Sequence, residues 1–359
     1  MSPRASCRVS GACLLALGML LPPVDAAAQR FNPKCVGGVL SLYVENDLFF
    51  QTDRNYTSGI KLAWVSPDLD SYERDECLPG WVKPLNEMVR GMFGLNSSAA
   101  RERNMVITLG QAIYTPGDRM RNDLIAEERP YAGWLYLGLG YNERRRPTDA
   151  DHDRLDSLEV NLGIVGPLAL AKPIQDAIHD LRGFERWNGW RNQLRNEPGV
   201  QVVAERKFKH RFSGGTADAI GHYGMSVGNV ATWLNAGVEL RAGSALPDDF
   251  GSSPVRPAGN NTSPGSLARD GTRKLRRGVH GFASFDLRAV ARDIFLDGNT
   301  FRASHSVKKE PWVADITLGA AAFAGAWKLS FARVYRSREF EGQPSRHSYG
   351  SFTVSRDFD

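Results

Sequence analysis

Short segments in which apolar residues alternate with polar or small ones recur along most of the chain. In residues 57–66, Ile60, Leu62 and Trp64 share one face of an extended segment, while Lys61 falls on the other. A period of two is typical of β-strands with one apolar face. The pattern therefore predicts an all-β protein.

Twelve segments of this kind can be assigned as strands. They span 39–50, 57–66, 104–113, 132–142, 156–165, 201–212, 218–227, 230–243, 279–291, 313–325, 326–338 and 346–358. Turns near Gly325 and near Gly228 are short, and residues 251–276 read as a flexible loop because they are rich in Gly, Pro, Ser and Asn.

Two architectures share this pattern, a soluble sandwich and a membrane-spanning barrel. Strands of about ten residues suit a tilted crossing of the bilayer core, and the faces opposite the apolar ones carry charged residues that a sandwich core would not accept. The last strand ends near Phe358, which looks like the terminal aromatic residue of bacterial outer-membrane proteins, although Asp359 follows it. We predict a single transmembrane antiparallel β-barrel of about 12 strands.

The N-terminus has the three parts of a secretory signal. Arg4 and Arg8 precede the apolar residues 12–21, and small residues follow at 26–28. The alternative is a short buried helix. We predict a signal peptide at residues 1–28 and a barrel domain at residues 29–359, located in the bacterial outer membrane.

Charge and cysteine content limit the possible partners. A formal charge of +5 on 359 residues does not resemble a nucleic-acid footprint. Cys35 and Cys77 remain after the signal is removed, and both fall on the periplasmic side, which predicts a disulfide. Two free thiols are the alternative.

With the N-terminus in the periplasm, the long polar connections 1/2, 3/4 and 5/6 all lie on the extracellular side. Connection 5/6 contains a predicted short helix at about 170–182, with Pro173 in its first turn and Gly183 after its end. Gln175 and His179 are four residues apart and share one face of it.

Oxygen-bearing side chains collect at the same rim, namely Asn46, Asp47 and Asp53 in connection 1/2 and Glu185 after the helix. Such ligands suit a hard cation such as Ca²⁺, although their spacing alone favours a solvated acidic loop. The chain has one G-x-S-x-G sequence, at 224–228, but its Ser226 lies inside a predicted strand with no evident partner. A His-activated water therefore fits better than a Ser nucleophile.

At this point the chain resembles the outer-membrane lipid A 3′-O-deacylases. The similar stretches, in chain order, are ENDLFFQTDRNYTSG (45–59), GQAIYTP (110–116), RPYAGWLYLGLG (129–140), GIVGPLA (163–169), GW (189–190), QLRNEP (193–198), GNVAT (228–232), DGNTF (297–301) and REFEGQ (338–343). They are spread in order along nearly the whole predicted mature chain.

The resemblance implies hydrolysis of the ester that holds the 3′-linked acyloxyacyl chain of lipid A, by a calcium-dependent site between the barrel wall and an outer-rim helix. His179 resembles the general base. Asp47 and Glu185 resemble the Ca²⁺ ligands. Asn46, Thr57 and Gln175 match the polar positions around them.

The family's connection 3/4 supplies a basic residue, and the nearest position here is Arg121. Arg121 and Arg129 are therefore expected to bind the phosphates of lipid A in the outer leaflet, with the protein acting as a monomer. Two other hypotheses stay open: a non-catalytic pore or structural barrel, and a general outer-membrane phospholipase.

Overall fold

The computed structural model describes residues 37–46, 55–73, 75–93, 102–145, 152–212, 215–252 and 277–358. Twelve antiparallel strands close into one barrel, each pairing with its sequence neighbours and β1 pairing with β12. The strands are β1 Val39–Asn46, β2 Asn55–Val65, β3 Glu102–Thr115, β4 Ala132–Arg145, β5 His152–Val165, β6 Glu197–Arg211, β7 Ala217–Gly228, β8 Ala231–Gly243, β9 Arg277–Asp293, β10 Trp312–Ala324, β11 Trp327–Arg336 and β12 His347–Asp357. The predicted fold class is confirmed.

The two faces of each strand meet different surroundings, as the period of two requires. Ile60 and Leu62 point outward and are exposed, while Lys61 points inward and lies over the ring of Tyr43 at 4.3 Å. Polar residues fill the lumen and apolar residues cover the outer wall, which is the arrangement of a barrel in a lipid bilayer.

One row of register partners marks the apolar band of the outer wall. It joins exposed Leu42, Leu62, Leu109, Leu137, Leu162 and Val200 across β1 to β6. We call it the leucine row, and its members Leu109 and Leu137 serve below as reference points along β3 and β4.

Within the described ranges, three α-helices lie outside the strands: α1 Lys83–Phe93, α2 Ala171–Arg182 and α3 Ile294–Asp297. The predicted extracellular helix is confirmed as α2, and Gly183 ends it at a φ of 70°, a value that a glycine adopts without strain. The periplasmic helix α1 was not predicted. Among the described residues, no helix is long and apolar enough to cross a membrane.

The periplasmic connection between β2 and β3 packs on the outside of the barrel. Asn86 of α1 accepts a hydrogen bond from the Tyr141 hydroxyl at 2.7 Å, and its side-chain amide donates to the Tyr72 carbonyl at 2.5 Å. Cys77, in the same connection, forms a disulfide. Its predicted partner Cys35 lies outside the described residues, as do the signal peptide and residues 253–276 of the predicted flexible loop.

Residues 244–252, the lumen segment, enter the barrel from the periplasmic end. Asp248 accepts a hydrogen bond from Arg144 of β4 at 2.7 Å and another from Lys209 of β6 at 2.8 Å. Asp249 pairs with Arg241 of β8 and Lys328 of β11. Two adjacent carboxylates therefore tie four strands together across the lumen, whereas the sequence predicted a flexible loop from residue 251.

Candidate active site

The chain crosses the outer wall of the barrel as it leaves β5. The Gly166 amide donates to the Gly133 carbonyl of β4 at 3.0 Å. Three residues later, the Ala169 carbonyl accepts from the Gln111 side chain of β3 at 2.6 Å. The segment thus runs from β5 over β4 to β3, and α2 begins there.

Close approach between α2 and the wall depends on Gly133. A Cβ atom at this position would lie 2.5 Å from the Cβ of Ala171 and 3.2 Å from that of Ala169. Ile113 of β3 packs with Ala171, Tyr131, Trp187 and Trp190 in one apolar cluster. The missing side chain of Gly133 therefore lets the helix lie directly on the barrel.

His179 is 1% exposed and lies in the last turn of α2. Its Nδ1 lies 2.7 Å from the backbone carbonyl oxygen of Glu185. A carbonyl can only accept, so Nδ1 carries the proton and Nε2 of the neutral ring keeps its lone pair. The turn after α2 thus sets the tautomer of the imidazole.

Gln175 lies one turn before His179 and is also buried. Its Oε1 accepts from the indole nitrogen of Trp190 at 2.8 Å. The Nε2 amide of the same side chain is buried and has no hydrogen-bond acceptor among the described residues. Trp190 therefore fixes the amide so that its donor side is available to a ligand.

The predicted site residues of connection 1/2 are only partly described. Asn46 is the last residue of β1 and pairs with Ser58 of β2, which in turn pairs with Ile113 of β3. Ile113 pairs with Gly133 of β4, so this register row passes beneath the start of α2. Asp47 and Asp53 lie outside the described residues, and Thr57 is described only as part of β2.

Glu185 presents its carbonyl to His179, but its carboxylate faces outward. That carboxylate pairs with Arg119 of connection 3/4 at 3.2 Å, and both side chains are largely exposed. The neighbouring Asp180 accepts from Arg186, and this hydrogen bond lowers the pKa of the Asp180 carboxyl. The described residues contain no group of three or more His, Cys, Asp or Glu side chains that could hold a metal.

The two predicted phosphate-binding arginines lie in different environments. Arg121 is exposed at the rim and is paired with Asp123, and their hydrogen bond lowers the pKa of the Asp123 carboxyl. Arg129 is fully buried, with its guanidinium 3.3 Å from Glu339 and over the ring of Tyr114.

Burial by itself would raise the pKa of Glu339, but Arg129 and Arg336 outweigh it and lower the pKa to about 2. The ion pair of Arg129 and Glu339 is therefore permanent at neutral pH. In this conformation, Arg129 is a structural residue of the barrel interior rather than a surface contact for phosphate.

The sequence did not reveal a serine paired with a histidine, whereas the structure contains one. The Oγ of Ser252 lies 2.8 Å from Nε2 of His280. Both residues are buried where the lumen segment meets β9, and Ser330 donates to the Ser252 carbonyl there. This pair faces the lumen and not the lipid, so we assign it a structural role: it holds the lumen segment against β9.

The residues that support α2 were also missed as site residues. Tyr131, Trp187 and Trp190 pack under and beside the helix, with the rings of Tyr131 and Trp190 5.1 Å apart. Burial raises the pKa of the Tyr131 phenol, which stays protonated at neutral pH. The sequence signal that could have identified them is the high density of aromatic residues in and around 129–140 and 189–190.

Comparisons with known proteins agree with this architecture. A family model described as outer membrane protein LpxR matches residues 12–358. Comparison with curated proteins found no match.

Among solved structures, LpxR from Salmonella typhimurium is similar with a TM-score of 0.64 and 18% identity, covering 89% of this chain and 99% of that one. The β domain of the Bordetella autotransporter BrkA has a TM-score of 0.41 at 9% identity and covers 90% and 99% of the two chains. At 18% identity, the LpxR structure indicates the fold alone. The family model spans almost the whole sequence, and the chain therefore belongs to the outer membrane protein LpxR family, whose members are lipid A-remodelling deacylases of the outer membrane.

Proposed function

We propose that this protein hydrolyses the ester that attaches the 3′-linked acyloxyacyl chain to lipid A, with His179 as the general base. The observation that carries the proposal is the hydrogen bond from Nδ1 of His179 to the Glu185 carbonyl, because it leaves Nε2 able to accept a proton. The histidine is also held outside the barrel wall, on the side where lipid lies.

The course of the chain supports the position of the site. Residues 166–169 run from β4 to β3, and α2 starts over these strands. His179 follows Ala171 by eight residues, or about 12 Å of helix, and adjacent strands are about 4.8 Å apart. An α2 axis that continues in this direction brings His179 to the wall near β2 and β1. Asn46 ends β1, Asp47 follows it in the sequence, and Thr57 is part of β2.

The proton transfers of the reaction need only His179 and water. Nε2 of His179 takes a proton from water, and the resulting hydroxide attacks the ester carbonyl. The tetrahedral intermediate collapses with loss of the sugar 3′-oxygen, which takes the proton back from His179. The products are a free acyloxyacyl acid and a 3′-hydroxyl group on lipid A.

Gln175 is the candidate donor for the charge that develops on the carbonyl oxygen. Its Nε2 amide is a buried donor with no acceptor among the described residues, and Trp190 orients it. Preorganised donors of this kind stabilise an oxyanion strongly because they lie in a site of low dielectric.

We propose Ca²⁺ as the cofactor, held by Asp47 and Glu185. The oxygen-only donor set fits a hard cation, and the exposed pair between Glu185 and Arg119 is weak enough to be exchanged for one. When bound, the ion would supply positive charge next to the ester carbonyl. Arg119 and Arg121, both exposed at the rim, would face the phosphates of lipid A.

Mass spectrometry of lipid A from cells that express the wild type or His179→Ala tests the proposal. Loss of the 3′-linked acyloxyacyl group alone is expected with the wild type, and unchanged lipid A with the variant. A gel-mobility assay on unheated samples confirms that both barrels are folded. Unchanged lipid A with folded wild type in the presence of calcium overturns the proposal, and release of fatty acids from phospholipids instead would indicate a phospholipase.

A further inference from the structure

We propose that α1 is an interfacial membrane helix, and that a stripe formed by Trp81, Leu85 and Met88 inserts among the acyl chains of phospholipids in the periplasmic leaflet. This inference is independent of the proposed catalytic function. It concerns the opposite end of the barrel from α2 and a different class of lipid.

One stripe of α1 is already occupied by the barrel. Val82, Asn86 and Val89 are buried, and they recur at the spacing of one helix face. Asn86 holds this face to the wall through its hydrogen bonds with Tyr141 and Tyr72. The helix is therefore fixed in its rotation about its own axis.

The residues that remain divide into an apolar and a polar flank. Positions 81, 85 and 88 fall about 100–160° to one side of Asn86, and positions 83 and 87 fall about 60–100° to the other. Trp81 is 53% exposed and Met88 is 55% exposed, whereas the opposite flank carries Lys83 and exposed Glu87. A helix with one flank apolar and the other charged suits a boundary between lipid and water.

The level of α1 on the barrel places it at such a boundary. It packs on Met105 and Tyr141, which lie four residues from Leu109 and Leu137 of the leucine row toward the periplasm. Four residues span about 13 Å of strand, or about 10 Å along the membrane normal at the usual strand tilt. On β3, Leu109 lies midway between Met105, which α1 covers, and Ile113, which packs under α2. The apolar band of such barrels is about 25 Å tall, so its edge lies near α1.

The packed face of α1 adjoins the lipid-facing wall. Ile107, Leu139 and Leu158 point outward from β3, β4 and β5 and pack against the cluster that includes Val82 and Val89. Trp81 precedes the helix, and tryptophan favours the interface between headgroups and acyl chains. Because α1 lies against lipid-facing strands, acyl chains are the occupant that fits its exposed apolar flank.

Spin labels at adjacent positions provide the test. Met88→Cys and the matched control Glu87→Cys are labelled in the full-length barrel reconstituted in phospholipid vesicles. We expect the label at 88 to collide with oxygen severalfold more often, relative to a water-soluble nickel chelate, than the label at 87. The wild type, treated identically, gives the background from native cysteines.

A second measurement serves if either variant fails to fold. Quenching of tryptophan fluorescence by brominated phospholipids is compared between the wild type and Trp81→Phe, and a smaller quenched fraction is expected in the variant. Equal access of both labels to the nickel chelate, or equal quenching of both proteins, overturns the proposal. Spin–spin broadening at 88 that disappears on dilution would indicate a second copy of the chain as the occupant instead.

Discussion

The Nδ1 atom of His179 lies 2.7 Å from the carbonyl oxygen of Glu185, so the backbone after α2 holds the catalytic candidate in one tautomer. Replacing His179 by Ala removes the proton acceptor and adds no bulk to the buried face of α2. We expect deacylation to fall by about 10²–10⁴-fold, the usual contribution of a general base. The rate of lipid A conversion by purified enzyme in detergent measures it.

His210→Ala is the matched control, since His210 lies at the periplasmic end of β6. Its activity should equal that of the wild type. Activity in His179→Ala within twofold of the wild type would remove His179 from the mechanism.

Gln175→Glu separates the two roles of Gln175. The new carboxylate still accepts from Trp190 Nε1, but it no longer offers an amide donor. We expect a loss of about 10²–10³-fold in turnover when it is measured at a pH high enough to ionise the buried carboxyl group, with the Trp190 hydrogen bond retained. Gln175→Ala should lose activity and, because it leaves the Trp190 donor buried without a partner, also about 1–3 kcal/mol of stability. Wild-type turnover in Gln175→Glu would contradict the proposed donor role.

Gly133→Ala tests whether close packing of α2 on the wall matters. The added methyl would lie 2.5 Å from the Cβ of Ala171, so the helix must move away from β4. We expect activity to fall while the barrel remains folded, with a cost of about 1–3 kcal/mol to local packing. Hydrogen exchange of residues 171–182 should increase.

Gly221→Ala supplies the comparison, because a Cβ at that position meets nothing within 4 Å. Full activity is expected there. Equal activity of both variants would show that the site tolerates displacement of α2.

Arg119→Gln should make the enzyme respond to less calcium. Arg119 neutralises the Glu185 carboxylate, and a cation bound by Glu185 must displace it. Because both groups are largely exposed, their pair is worth no more than about 1 kcal/mol, so the half-activating concentration should fall by up to about fivefold. Arg182→Gln, which alters a basic residue that lies over Phe184 instead, should leave the calcium titration unchanged.

Acid should release the lumen segment. Burial alone would raise the pKa of Asp249, but Lys328 and Arg241 outweigh it and lower the pKa to about 2. A depressed pKa in the folded state stabilises the fold above the unfolded value of 3.8, and this contribution is lost as the pH falls from 3.8 toward about 2. Hydrogen exchange of residues 244–252, corrected for intrinsic rates, should rise over that interval.

Asp249→Asn should produce the same release at pH 7, at a cost of about 3 kcal/mol, because it leaves buried cations undercompensated. Asp180→Asn removes an exposed pair with Arg186 and should change nothing in the lumen. Unaltered exchange in Asp249→Asn would show that the segment is held by other contacts.

The strands were predictable because each has one polar face toward the lumen and one apolar face toward lipid. This alternation imposes a period of two on the local sequence. The predicted and observed bounds of β5 differ only at its start, and α2 was predicted within one residue. The helix α1 was missed because its packed face carries polar Asn86, while apolar Trp81 and Met88 are exposed. A pattern that assumes a buried apolar stripe cannot identify such a helix.

Long-range pairs were equally hidden from the sequence. Asp249 is separated by 79 residues from Lys328, and Arg129 by 210 residues from Glu339. The sequence placed Arg129 at the surface because its connection is extracellular. Closure of the barrel decides which side chains of that connection turn inward, and no local signal reports this.

The occupied lumen also determines where reaction products can go. Asp248, Asp249 and Phe250 stand between opposite strands and occupy the lumen on the way to the periplasm. Under the proposed function, the trimmed lipid and the released acid would then depart sideways, by two-dimensional diffusion within the leaflet that supplied the substrate.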